Sequence, residues 1–137
     1  MTLPTFVEQE QENLWTRLEE WQTHNDTGMS KDKYLEMQEQ LGREPDPERC
    51  PPGVEDFPDV VIDAISIFNS LGDRVYPEVG YTGKDYTNLE FLLKVYKIEH
   101  KELLYEILLR LDAHVIKKSQ EAIKREHDKL KSKTRGK

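Results

Sequence analysis

The sequence predicts an all-α fold of four or five helices in one compact domain, with a proline-rich arm and a basic C-terminal helix extension. Apolar residues recur at a helical period in several segments, prolines cluster in one stretch, and basic residues concentrate at the C-terminus. The 137 residues suit a single domain with one modest core. We divide them into an N-terminal helical pair (1–42), a connecting arm (43–58), a helical core (59–116) and the extension (117–137).

The N-terminal segment carries two amphipathic patterns. The first predicts a helix over about 5–23, which ends in the turn-forming sequence Asn-Asp-Thr-Gly. Ser30 is placed to cap a second helix, because its hydroxyl can accept a hydrogen bond from a backbone amide of the first turn. Gly42 is expected to end that helix in the left-handed conformation that glycine adopts without strain.

The connecting arm is predicted from its prolines, which remove backbone donors and bias the preceding residues away from helix. The segment contains Pro45, Pro47, Pro51, Pro52 and Pro58. Two interpretations remain open. The arm is either a flexible linker or a strap over the core, for which Val54 and Phe57 offer apolar anchors.

The core segment carries the strongest apolar periodicity. A central helix is expected from near Asp59 to a stop at Gly72. Residues 73–86 are interpreted as a loop of fourteen residues, near the length at which loops carry function.

Two more helices are expected after this loop. A capping box, Thr87-Asn88-Leu89-Glu90, predicts the start of a short helix that ends around Lys97. The last helix is expected from about Lys101 to Lys131, with its first half on the core and its second half in solvent or against another chain.

Charge is distributed unevenly along the chain. Residues 115–137 hold nine basic and three acidic residues, a net charge of +6, whereas the other 114 residues carry −13. The extension could meet an anionic partner, either nucleic acid or an acidic protein surface. The alternative is a solvated helix end, whose basic residues interact favourably with the helix dipole. We favour this alternative because the extension has no aromatic residues on which bases could stack. The possible contact residues are Lys117, Lys118, Lys124, Arg125, Lys129, Lys131, Lys133 and Arg135.

Motifs of catalysis and metal binding are missing from the sequence. The four histidines form no His-Glu-x-x-His pattern, and nothing near the single cysteine, Cys50, supplies the base that a nucleophile needs. No phosphate loop or serine elbow occurs. We therefore expect no enzyme, no catalytic residue, no cofactor and no metal. With no signal-peptide pattern and no apolar run long enough to span a membrane, a cytoplasmic protein is expected.

The segment from Ile67 to Ile116 resembles small tail-assembly proteins of tailed bacteriophages. The resemblance is carried by an apolar helix, a loop ending Gly83-Lys84-Asp85-Tyr86, a short helix over Leu89–Tyr96, a Lys97-Ile98 corner and a leucine-rich last helix. The proline-rich arm and the basic extension have no counterpart in that family.

This resemblance implies a non-enzymatic chaperone in the cytoplasm of the infected cell. Such proteins bind helix-forming segments of the tape-measure protein and keep them soluble until the tail tube polymerises. Tyr81, Asp85 and Tyr86 would shape the loop, with Asp85 as a turn residue, and Leu89 and Leu92 would help to form the core or a client-binding groove. The partner would be a phage structural protein, and a homo-oligomer is possible.

Two other functions compete with the chaperone. The first is a nucleic-acid-associated accessory factor that uses residues 117–137, whose binding would weaken steeply with salt. The second is an acidic inhibitor of a host enzyme, and its only support is the net charge of −13 on the residues that precede the basic C-terminal segment.

Overall fold

The computed structural model describes the backbone of residues 6–135 and the side chains of residues 10–134. Within this range the fold is predominantly helical and includes a two-stranded sheet. In chain order the elements are α1 (Phe6–Asp26), α2 (Lys31–Gln40), a 3₁₀ turn (Val54–Asp56), α3 (Asp59–Ser70), β1 (Gly72–Tyr76), β2 (Gly80–Asp85), α4 (Leu89–Val95) and α5 (Lys101–Arg135). The chain forms two compact units, Met1–Phe57 and Pro58–Lys137, where one compact domain was expected.

In the first unit, the predicted ends of α2 are confirmed. The Ser30 Oγ accepts a hydrogen bond from the Lys33 backbone amide at 3.3 Å, so it caps the N-terminus. Gly42 has a φ of 67°, and the amide of Arg43 returns to the carbonyl of Gln38 at 2.9 Å.

The proline-containing segment of the first unit makes specific contacts with α1 and α2. The Tyr34 hydroxyl accepts a hydrogen bond from the Asp46 amide at 3.1 Å. Phe57 is buried, and its ring meets Trp21 edge-on with the centroids 6.4 Å apart. Lys31 pairs with Asp56 at 2.9 Å, and this contact helps to hold the pKa of Asp56 below its usual value after the larger effect of the Gly53 amide.

In the second unit, α3 packs against α5. The start of α3 at Asp59 and its end before Gly72 agree with the prediction. The side chains that α3 and α5 bury are Val61, Ala64, Ile65, Ile67, Leu104, Ile107, Leu108 and Leu111. These positions follow the helical period, so both helices bury one continuous stripe.

The prediction of a purely α-helical chain is wrong, because residues 72–85 form a β-hairpin where a loop was expected. The strands are antiparallel, from Gly72 opposite Asp85 to Tyr76 opposite Gly80. Their sequences are short and rich in glycine and charge, so they lack the alternation of apolar and polar residues that identifies a strand.

The predicted capping box before α4 is also wrong. The helix begins at Leu89, and its N-cap residue, Asn88, makes no side-chain capping bond. Thr87 instead donates both its amide (2.9 Å) and its hydroxyl (2.5 Å) to the Asp85 carboxylate. A carboxylate two residues away is a strong local acceptor, so it captures the threonine that the capping box required.

Candidate functional site

A buried carboxylate joins the hairpin to the long helix of the second unit. Asp112 lies on α5 and is 5% exposed. Its Oδ1 accepts a hydrogen bond from the Tyr81 hydroxyl at 2.5 Å, and its Oδ2 accepts bonds from the Tyr86 hydroxyl at 2.7 Å and the Lys84 amide at 3.0 Å. Three donors therefore offset the cost of removing this charge from water.

Two glycines bring the hairpin backbone close enough for these bonds. Gly83 has a φ of 130°, and a Cβ at this position would lie 3.3 Å from the Asp112 Oδ2. Gly80 has a φ of 81°, and a Cβ there would lie 2.7 Å from the Cδ1 of Ile123. The Tyr81 amide also donates to the Ser119 Oγ at 3.3 Å, so β2 follows one face of α5 over three helical turns.

The environment of Asp112 keeps both tyrosines protonated. Burial is the larger effect, and the hydrogen bond to Asp112 adds to it, so the pKa values of Tyr81 and Tyr86 rise well above the usual 10. Both phenols act as donors to the Asp112 carboxylate, which accepts three hydrogen bonds in all. This arrangement fixes the hairpin in place and offers no free base or nucleophile at the cluster.

Lys84 extends the same network to α3 and β1. Its Nζ lies 2.6 Å from the Asp73 Oδ1 and 4.4 Å from the centre of the Phe68 ring, and its side chain is only 10% exposed. Each residue of the Gly83-Lys84-Asp85-Tyr86 motif thus has a structural contact within the second unit.

The structure places the predicted partner-binding residues in different environments. The hydroxyls of Tyr81 and Tyr86 are bound to Asp112, and Leu89 and Leu92 are half-buried. Asp85 is exposed and accepts bonds from Thr87, which lower the pKa of its carboxyl. The structure brings the two tyrosines together on one carboxylate, whereas the carboxylate of Asp85 binds Thr87.

Sequence reasoning did not single out a set of exposed apolar side chains on α4 and α5. Phe91 and Val95 are 66% and 56% exposed, and they lie one turn apart on α4. Tyr105 and Leu109 are 47% and 43% exposed and lie one turn apart on α5. The signal was present, because each pair repeats at i and i+4 on its helix. We call these four residues the apolar face.

The basic residues of the extension lie on the C-terminal part of α5. Residues 124–134 are all exposed, and they follow Ile123, which lies beside Gly80 of the hairpin. The contact candidates with described side chains are Lys117, Lys118, Lys124, Arg125, Lys129, Lys131 and Lys133, all of them exposed. The side chain of Arg135 lies outside the described residues.

Metal-binding and membrane-spanning features were sought across the described part of the chain. Residues 10–134 contain no group of three or more histidine, cysteine, aspartate or glutamate side chains arranged to hold a metal ion. Among the described helices, none combines the length and the apolar character needed to cross a bilayer.

Comparison of the chain with protein-family models, with curated proteins and with solved structures finds no match.

Proposed function

We propose that this protein is a non-enzymatic assembly factor that binds a helix-forming segment of a phage structural protein during tail morphogenesis, in the cytoplasm of the host cell. The apolar face is the observation that carries the proposal. An amphipathic helix presents apolar residues at i, i+3, i+4 and i+7, and each pair of the apolar face exposes two apolar side chains one helical turn apart that such a helix can contact.

The hairpin cluster contacts one residue of the apolar face. The ring of Tyr86 meets Tyr105 edge-on, with the centroids 6.2 Å apart, while the Tyr86 hydroxyl is bound to Asp112. Tyr105 is therefore held by a residue whose own position is fixed. A rigid apolar surface loses less side-chain entropy on binding than a mobile one, which favours capture of a client helix.

The test is a pull-down of the tagged chain from cells that co-express the phage structural proteins. Nuclease and about 1 M salt, at which the Debye length is about 3 Å, remove partners held by charge alone. We expect recovery of a long helical tail protein. Recovery of a host enzyme alone would instead favour the acidic inhibitor, and loss of every partner would contradict the assembly factor.

A matched pair of variants locates the binding surface. Replacing Phe91 and Val95 by Gln removes apolar area at exposed helix positions and is expected to lower client recovery by at least tenfold. Replacing Val75 and Val79 by Gln removes similarly exposed side chains (63% and 58%) from the hairpin and should leave recovery unchanged. Equal loss in both variants would contradict the assignment of the apolar face.

A further inference from the structure

The C-terminal part of α5 contributes charge without contributing to the core. The eleven residues 124–134 are all exposed, and at about 1.5 Å per residue they extend α5 by about 16 Å beyond Ile123. An isolated helix of this length is only marginally stable in water. Because residues 124–134 are exposed, packing against the core does not explain why they are so rich in basic side chains. Within residues 117–134, seven basic side chains stand against three acidic ones.

The basic residues form two rows along the helix. Lys117, Lys124 and Lys131 recur every seven residues and so follow one line about 10 Å apart. The second row lies a little over a third of the way around the helix, at 100° per residue. It consists of Lys118, Arg125, Lys129 and Lys133.

This geometry matches the walls of a duplex groove. An α-helix with its side chains is about 10–12 Å across, and the major groove of B-DNA is about 12 Å wide. A helix lying in the groove would direct one row toward the phosphates of each strand. Glu121 and Asp128 fall between the rows, on the side of the helix that would face the floor of the groove rather than the phosphates.

Two further features favour a duplex over other anions. Residues 117–137 contain no aromatic side chain, so they offer no platform on which single-stranded bases could stack. The far end of residues 124–134 also lies about two Debye lengths beyond Ile123 at physiological salt, so the charges of the acidic residues of α3 and the hairpin are screened there.

We propose that residues 117–134 of α5 bind the phosphate backbone of double-stranded DNA without strong sequence preference. This interaction is separate from the client binding proposed above, since it uses a different surface and different chemistry.

The test is fluorescence anisotropy of a labelled duplex of about 20 base pairs, titrated with the full chain over about 50–200 mM salt. Each phosphate contact contributes about 0.9 to the slope of log K against log salt, so five to seven contacts predict a slope of about −4.5 to −6. Replacing Lys124, Lys129, Lys131 and Lys133 by Gln should weaken binding at least tenfold and reduce the slope by about 3 to 4.

The control removes the same charge elsewhere. Gln at Lys33, Lys94, Lys97 and Lys101 gives the same net charge and should leave the affinity within about twofold, because these residues lie outside the extension. Circular dichroism checks that both variants keep their helix content, as glutamine is a good helix former.

Three outcomes would overturn the proposal. The first is no binding at about 50 mM salt, and the second is equal weakening in both variants. The third is sedimentation of the chain alone as an oligomer at low salt that the extension variant abolishes, which would assign the basic rows to the acidic surface of another copy.

Discussion

Asp112 shows how one polar residue determines the position of a whole hairpin. It occupies an inward position beside Leu108 and Leu111, where a leucine would satisfy the helical pattern equally well. An aspartate there must be paired, and the hairpin supplies the three donors. A carboxylate within an apolar stripe is thus a sequence signal for a polar partner elsewhere in the chain.

Asp112→Asn should lower the free energy of unfolding by about 2–3 kcal/mol, because asparagine loses the charge that strengthens these hydrogen bonds and has one acceptor oxygen where the carboxylate has two. Urea unfolding measures the change. Glu106→Gln on the same helix is the control. Its carboxylate lies 3.6 Å from Arg110 in an exposed pair, and we expect a change below about 0.5 kcal/mol. Similar stability in both variants would contradict the structural role assigned to the Asp112 hydrogen bonds.

The residues that build this cluster could not be paired from sequence. Tyr81 and Tyr86 precede Asp112 by 31 and 26 positions, and periodicity carries no information about contacts over that separation. Local signals succeeded where the physics is local. Ser30 caps α2, whereas the capping box at Thr87 failed because Asp85 competes for the same threonine.

At the scale of elements, the helices were predictable and the hairpin was not. A helix repeats its burial pattern over ten or more residues, so α3 and α5 are visible in the apolar period alone. The hairpin packs against α5, and Gly80 and Gly83 allow its backbone to come close to that helix. The strand sequences are therefore adapted to close contact with α5 and lack the alternation of apolar and polar residues that an independent sheet shows.

The C-terminal ends of α2 and α4 have the same backbone conformation but different residues at the left-handed position. Both helices end in a Schellman motif, with Gly42 at the left-handed position after α2 and Lys97, at a φ of 54°, after α4. A residue with a Cβ is strained in this conformation, whereas glycine adopts it freely.

Lys97→Gly should therefore raise the free energy of unfolding, by about 1 kcal/mol. Thermal or urea unfolding checks the sign. The matched change is Lys94→Gly, which lies inside α4 and should lower stability by about 1 kcal/mol through the poor helix propensity of glycine. A destabilising effect at Lys97 would show that its side chain contributes more than its backbone costs.

For the whole molecule, the two compact units differ in charge. Counted from the sequence, residues 1–57 hold five basic and fourteen acidic residues, a net charge of −9, and residues 58–137 hold fifteen basic and thirteen acidic residues, a net charge of +2. Net charge therefore differs between the two units, as well as between the basic C-terminal segment and the rest of the chain. Composition alone revealed this feature, because net charge requires no knowledge of contacts.

The stability of the chain should fall as the pH rises above about 10, the ordinary pKa of tyrosine. Tyr81 and Tyr86 have raised pKa values in the folded state, so the unfolded chain loses their protons first, and the stability they contribute below pH 10 is lost above it. Urea unfolding between about pH 8 and 11, with tyrosinate absorbance, measures this dependence.

The double variant Tyr81→Phe, Tyr86→Phe is the control for this titration. It removes both hydroxyls and should unfold with a weaker dependence on alkaline pH. If all six tyrosines of the folded wild-type chain ionise together near pH 10, the buried environment assigned to these two is wrong.

The separation between Asp112 and its donors also bears on how the second unit assembles. The hairpin bonds to Asp112 close chain segments of 26 to 31 residues, and every contact between α3 and α5 closes a segment of 31 residues or more. Docking of the hairpin therefore shortens the loop that the packing of α3 on α5 must close, and we expect the two events to be coupled. The Lys84 amide, which is bonded to Asp112, is a natural hydrogen-exchange reporter of this docking.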